Sequence, residues 1–211
     1  MGKENIFWIE GFTSPSTRTI ADEVIKKIEK EIGEEIEKIE YVNFINKNVK
    51  KLKESLRIIE YAKKIAQELL SNSINSDKYP IIIGCSMGGL IARHLVEKMG
   101  LEVRGLILLA TPNKGIRLSL PERIFLKIIG PVLCVEDMKP GSDFLKSLED
   151  PPLEECYYFF GGINDSRVNI GSSLPIKGSR SILVNARHKD TADAEAIMKV
   201  VSIIKTLILT T

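Results

Sequence analysis

The residues best suited to chemistry converge on one pentapeptide. It is Gly84-Cys85-Ser86-Met87-Gly88, inside the longer run Ile81-Ile82-Ile83-Gly84-Cys85-Ser86-Met87-Gly88-Gly89-Leu90-Ile91-Ala92. An apolar stretch of strand length precedes the serine, and a helical pattern follows it. A serine at such a strand-to-helix turn sits in a strained backbone conformation, with its hydroxyl pushed out above the sheet. Side chains two positions before and after it would collide with strand and helix, so Gly84 and Gly88 leave room. The helix beginning at Met87 aims free backbone N–H groups at the same point, where a developing oxyanion would be held. The chemistry implied is nucleophilic attack on an acyl carbon. The plain alternative is a tight turn that happens to contain serine.

A serine hydroxyl is inert without a base, and the chain has two histidines. His94 falls two turns into the helix after Ser86, about 12 Å along its axis, pointing away from the turn. His188, in Val184-Asn185-Ala186-Arg187-His188-Lys189-Asp190, follows the last apolar strand. Loops at the C-terminal ends of parallel strands are where ligands bind in such sheets, so His188 is the candidate base. The candidate acid, which would orient the imidazole, is Asp165 in Gly161-Gly162-Ile163-Asn164-Asp165-Ser166. Asp190 is its local rival, although it is better placed to cap the last helix. Asp143, Asp137 and Glu136 remain open as alternatives. A second oxyanion donor is expected from the loop Glu10-Gly11-Phe12-Thr13-Ser14-Pro15. The backbone N–H of Phe12, paired with that of Met87, is the candidate. Gly11 permits a sharp exit there, or is an ordinary turn glycine.

These groups must be positioned by strands and helices that alternate along the chain. Continuous apolar runs predict strands over residues 6–10, 39–44, 80–83, 103–110, 157–160 and 181–184. Helical spacing is seen over 19–33, along a stripe from Val49 to Leu69, over 87–99, and through Ile197, Val200, Val201, Ile204 and Leu207. Such unbroken strands suit a parallel sheet covered by helices on both faces. The expected class is α/β, a three-layer sandwich with a mostly parallel six-stranded sheet. The chain reads as one domain, 1–211. A proline-rich stretch interrupts the rhythm, and residues 113–137 are the candidate lid or cap.

Composition narrows the function classes. The 211 residues include 44% hydrophobic and 27% charged residues with a net charge of +2, which excludes a disordered chain. Thirty Lys and Arg against twenty-eight Asp and Glu leave little field to attract nucleic acid. No apolar run approaches the length of a membrane span. Two histidines and three cysteines without paired spacing supply no zinc site and no disulfide framework. The segment Met1-Gly2-Lys3-Glu4-Asn5-Ile6-Phe7 lacks the pattern of a secretory signal, so the cytoplasm is the default expectation.

At these residues the sequence resembles the α/β-hydrolase superfamily, in particular its small lipase and esterase branch. Residues 6–12 look like the strand and oxyanion loop, and 84–89 like the nucleophile elbow. Leu106-Ile107-Leu108-Leu109-Ala110-Thr111-Pro112-Asn113-Lys114-Gly115 is similar to the segment ending the next strand. Met138-Lys139-Pro140-Gly141-Ser142-Asp143-Phe144-Leu145 resembles a stretch before the acid-bearing strand. Residues 161–168 and His188 fall where the family places acid and base. Glu10 stands where the family often has histidine, and Asn113 replaces another histidine common in lipase-like members. The resemblance implies a minimal version of the fold with sheet order 2-1-3-4-5-6. That order reverses between strands 1 and 3, so a ligand crevice is expected at their carboxyl ends.

The expected function is hydrolysis of carboxylic esters through a Ser86, Asp165, His188 triad and an acyl-enzyme, with no metal or cofactor. The partner is a small-molecule ester or acyl substrate, and the oligomeric state is open. An acyl thioesterase would use the same residues, and a non-catalytic hydrolase-fold binding protein is the rival from another class. Phe12, Leu118, Ile124 and Phe125, with Leu120 and Ile128, are candidates for an apolar flap that binds the acyl chain. Their plain alternative is core packing.

Overall fold

Runs of Ile, Val, Leu and aromatic residues form the six strands of the computed structural model. They are β1 (Glu4–Ile9), β2 (Ile36–Val42), β3 (Ile81–Cys85), β4 (Gly105–Leu109), β5 (Tyr157–Gly162) and β6 (Ser181–Val184). The helices between them are α1 (Pro15–Ile32), α2 (Ile58–Ser73), α3 (Met87–Glu97), α4 (Leu120–Ile129), α5 (Leu133–Asp137), α6 (Asp143–Ser147), α7 (Ile170–Ser173) and α8 (Ala194–Leu209). The structure describes residues 3–11, 15–42, 56–73, 79–129, 132–148, 157–165, 168–174, 180–184 and 194–209.

The strands pair in the order β2-β1-β3-β4-β5-β6, and every pairing is parallel. Side chains alternate between the two faces, so each central strand feeds two cores. Phe7, Ile9, Ile82, Leu106, Leu108 and Phe159 meet α2, α3 and the short helices α5 and α6 on one face. Ile6, Trp8, Ile81, Ile83, Ile107 and Phe160 meet α1 and α8 on the other. Two covered faces explain why β3 and β4 have no polar positions: nearly all of their residues are buried. The edge strands β2 and β6 are partly exposed and mix polar with apolar residues. Among the described residues no helix is long and apolar enough to cross a membrane.

The expected fold class, strand count and sheet order are those observed. Most boundaries shift by a few residues, and two of the differences from the sequence reading have an identifiable cause. β2 starts at Ile36, where the strand was expected from 39, because Ile36 pairs with Glu4 at the start of β1. The stripe from Val49 to Leu69 is not one helix: Leu56 and Arg57 are non-helical, and α2 begins at Ile58. The reason is tertiary. The Asp137 carboxylate accepts the Ile58 N–H at 2.8 Å and pairs with Arg57 at 2.6 Å, capping α2 from 79 residues away in sequence. Residues 43–55 of the expected stripe and strand lie outside the described residues.

One corner of the sheet is tied by charge. Arg104, just before β4, places Nη1 2.6 Å from Oε1 of the buried Glu4 at the start of β1. Its Nε donates to the Leu207 carbonyl at 2.7 Å, near the C-terminal end of α8, where a cation is favoured. Substituting Arg104→Ala should destabilise the fold by about 3 kcal/mol, since a buried carboxylate loses its charged partner. Urea denaturation measures this, and a cost below about 1 kcal/mol would show that the pair does not hold the corner.

Candidate active site

Ser86 is the first residue after β3 and stands immediately before α3. Its backbone has φ 52° and ψ −121°, a left-handed conformation that costs a non-glycine residue on the order of 1–3 kcal/mol. The neighbouring packing holds it there. The Ser86 N–H donates to the Leu109 carbonyl at 2.8 Å, extending the β3–β4 ladder by one bond, and its carbonyl accepts the Gly89 N–H at 3.0 Å.

Three glycines let α3 come this close to the strands. A Cβ on Gly84 would lie 2.6 Å from the Gly89 Cα. One on Gly88 would strike the Ile9 carbonyl at the end of β1, and one on Gly89 would strike the Thr111 hydroxyl after β4. The expectation that Gly84 and Gly88 make room therefore holds, and Gly89 joins them.

The loop after β1 abuts the same turn. A Cβ on Gly11 would lie 3.0 Å from the Met87 nitrogen and 3.2 Å from the Cys85 carbonyl. Glu10 is buried and folds back over this loop, accepting the Gly11 N–H and the Trp8 indole N–H, each at 3.1 Å. The backbone at Gly11 thus has a carboxylate clamp where lipase-like sequences often carry histidine. Met87 is buried beneath the turn at the N-terminus of α3. Cys85 is half-buried against the α1 and α8 side of the sheet.

Asp165 follows β5 and is buried. Its Oδ1 accepts the Val168 N–H at 2.8 Å, and its own N–H donates to the Gly162 carbonyl at 3.3 Å, so the loop fixes the carboxylate. The alternative acids are engaged elsewhere. Asp137 caps α2, Glu136 pairs with Lys139 at 2.5 Å, and Asp143 lies exposed near Lys146 at the start of α6. His188, Phe12 and Asp190 lie outside the described residues. Leu118 is half-buried against the core on the α2 and α3 side. Ile124 and Phe125 are exposed on α4. A cavity of about 350 Å³ borders the start of α2, lined by Arg57, Asp137, Lys139, Ser142 and Phe144, and includes neither Ser86 nor Met87. Among the described residues no cluster of His, Cys, Asp or Glu is placed to hold a metal ion.

The sequence reading missed a polar network beneath the turn. Arg93, on α3, is fully buried. Its guanidinium meets the Glu97 carboxylate through two bonds, at 2.7 and 3.0 Å. It also donates to Asn113 Oδ1 at 2.9 Å and to the Leu148 carbonyl at 2.5 Å. Asn113 passes the link on, donating to the Ser173 carbonyl at 2.9 Å, while the Lys114 N–H reaches Ser172 Oγ at 3.1 Å. Ser172 and Ser173 belong to α7, which follows the Asp165 loop. The helix that carries Ser86 and the segment that follows Asp165 are therefore joined through Arg93 and Asn113. The available signal was Arg93 inside the mostly apolar run Leu90 to Val96, with Glu97 four residues further on.

His94, the next residue on α3, is buried with its ring 5.8 Å from Phe144. Among the described residues its Nδ1 has no hydrogen-bond partner. Burial, with the Lys98 and Lys63 charges, pushes its pKa below the ordinary value near 6.5. The native state thus favours neutral His94, and the unfolded chain binds the proton more readily. Its contribution to stability is complete above about pH 6.5 and falls away as pH drops towards the lowered native pKa.

Two measurements test these assignments. Arg93→Met should destabilise by about 3 kcal/mol and Asn113→Ala by about 1–2 kcal/mol in chemical denaturation. Equal stability of both variants and wild type would remove the network's structural role. His94→Gln should show a smaller loss of stability than wild type between about pH 7.5 and about pH 5.5; identical losses would show that His94 does not titrate across unfolding.

No family model matches the sequence, and no curated protein matches it significantly. Solved structures do match. Phospholipase PlaB from Legionella pneumophila superposes with a TM-score of 0.64 at 14% identity, over 82% of this chain and 46% of that one. This chain spans only 38–46% of the two PlaB chains compared. The mature form of Bacillus licheniformis lipase BlEst2 gives 0.62 at 14% identity, covering 98% of this chain and 92% of that one. The monoacylglycerol lipase of Paleococcus ferrophilus gives 0.61 at 14% identity, covering 99% and 96%. At such low identity the likeness concerns architecture: with its six parallel strands and a strained serine between β3 and α3, this chain has the α/β-hydrolase fold.

Proposed function

We propose that the protein is a serine hydrolase of carboxylic esters, working through an acyl-enzyme. The observation that carries this reading is the backbone of Ser86. A φ of 52° on a serine between strand and helix stores strain that a plain turn has no use for. Such a turn suits a hydroxyl raised above the carboxyl end of the sheet, at the switch point between the paired strands β1 and β3, from which the chain runs to β2 on one side and to β4 on the other.

In this reading His188 takes the Ser86 proton as the oxygen attacks the acyl carbon. The N–H groups of Met87 and Phe12 hold the oxyanion, and the contact of Gly11 with Met87 supports their convergence. Asp165 orients the imidazole, and its burial and loop-fixed carboxylate suit that task. His188 then protonates the leaving alcohol, and water repeats the cycle on the acyl-enzyme. Phe12 and Leu118 would contact the acyl chain. That several structures of the same fold carry lipase or phospholipase names agrees with an ester substrate.

A fluorophosphonate probe should label the folded protein, and Ser86→Ala should abolish labelling. Hydrolysis of p-nitrophenyl esters should drop by at least about 10³-fold in Ser86→Ala and in His188→Gln. Folded wild type that resists the probe and cleaves no ester would leave a ligand-binding protein on a hydrolase scaffold. Matched oxygen esters and thioesters, compared by kcat/KM, separate esterase from thioesterase.

A further inference from the structure

α4 is built against the usual logic of a helix that covers a sheet. Leu120, Ile124 and Ile128 recur every four residues, and they are 67%, 50% and 77% exposed, with Phe125 beside them at 39%. At 100° per residue the first three form one row along the outer side. The inward side is carried by Leu126, packed on the core, and by the half-buried Glu122. The helix does not owe its shape to the core alone. The Glu122 side chain turns back to the start of the helix, where the Ser119 N–H and hydroxyl donate to its Oε2 at 2.9 and 2.8 Å, the glutamate half of a capping box. Local chemistry therefore fixes a helix whose apolar row faces water.

Among the described side chains of residues 113–129 the exposed charges have one sign. Lys127 is exposed on the helix itself, and Lys114 and Arg117 are exposed on the approach to it. The acid of this stretch, Glu122, is turned back into the capping box. The whole chain carries a net charge of only +2, so the excess of cations is local. An apolar row flanked by cations is the pattern of a helix lying in the headgroup region of an anionic bilayer. A second copy of the chain fits less well. Four side chains on a helix about 15 Å long cover a few hundred Å² at most, against roughly 800 Å² per partner in a stable interface. Two copies would also bring like charges together.

We propose that the outer face of α4 docks on an anionic phospholipid surface, with Leu120, Ile124 and Ile128 entering the acyl boundary and Lys127 and Arg117 meeting the headgroups. The docking is independent of the hydrolase reading. The extension that esters held in such a surface are the substrates rests on that reading.

Vesicle co-sedimentation of the Ser86→Ala protein tests the docking without altering the lipid. Binding should be at least about tenfold stronger to vesicles of phosphatidylcholine with a quarter phosphatidylglycerol than to phosphatidylcholine alone, and should weaken as salt rises. Ile124→Ser with Ile128→Ser should reduce it by about tenfold or more, and Lys127→Glu by several-fold on the anionic vesicles. These positions are exposed, so an unchanged thermal midpoint accompanies the loss. Absence of binding at low salt, or equal binding by the double variant, overturns the proposal. So does a dimer in light scattering that Ile128→Ser breaks while vesicles are ignored. Fluorophosphonate labelling of wild type reports separately on the hydrolase reading.

Discussion

The approach of α3 to the strands is the constraint from which the site follows. A helix cannot lie this close to a sheet unless its first turn lacks side chains on the contact side. Gly88 and Gly89 supply that absence against two different strands, Ile9 at the end of β1 and Thr111 beyond β4. Gly84 supplies it from the strand side. With the first turn seated there, the chain has one residue in which to change direction, and Ser86 absorbs the change as a positive φ. The strain at Ser86 is thus offset by packing on both sides of it. A second positive φ falls on Ala110, at the end of β4, whose N–H reaches the Phe160 carbonyl at 3.0 Å. Two adjacent strands therefore bend sharply at the same end of the sheet.

Buried polarity performs a complementary task. Arg93 is paired with Glu97 through two bonds, and two further N–H groups donate to Asn113 and Leu148. A guanidinium in the core is tolerated only when its donors are so matched. The requirement has a geometric consequence: Asn113, Leu148 and, through Asn113, Ser173 must hold fixed positions relative to α3. The apolar core fixes the layers, but it is non-directional and adjusts to small shifts. The hydrogen bonds add direction, and they run from the helix behind Ser86 to the helix after Asp165. Asn113 stands where lipase-like sequences often have histidine, and here that position serves as a joint.

What could be read from the sequence follows the range of the forces involved. β3 and β4 are unbroken apolar runs because both faces are covered, and such runs are visible without any partner. The turn at Ser86 was legible because its glycines lie within five residues of it. β2 was read too short because it is an edge strand, where Glu37, Lys38 and Glu40 dilute the apolar signal. The start of α2 was misread for a different reason. Its cap at Ile58 is Asp137, remote in sequence, and the only local sign among the described residues is Glu60, which accepts the Arg57 N–H at 2.8 Å. The roles of Arg93 and Glu10 went unread for the same reason: each depends on distant or backbone partners that the sequence does not display. Apolar periodicity is a local property, whereas satisfaction of buried charge belongs to the whole fold.

The segment between β4 and β5 shows both regimes side by side. Its first part is docked: the Ile116 N–H meets the Met138 carbonyl at 3.1 Å, Ser172 Oγ donates to the Gly115 carbonyl at 2.8 Å, and Gly115 takes φ 97° where a Cβ would meet Pro140. These contacts tie residues 113–116 to the layer that holds Arg93. A few residues later the governing interactions become local, in the Ser119–Glu122 box, and the apolar residues turn outward. A docked segment followed by a locally braced helix separates two demands. The docked segment holds the Arg93 network in register, and the outer row of the helix lies apart from those contacts, open to another surface.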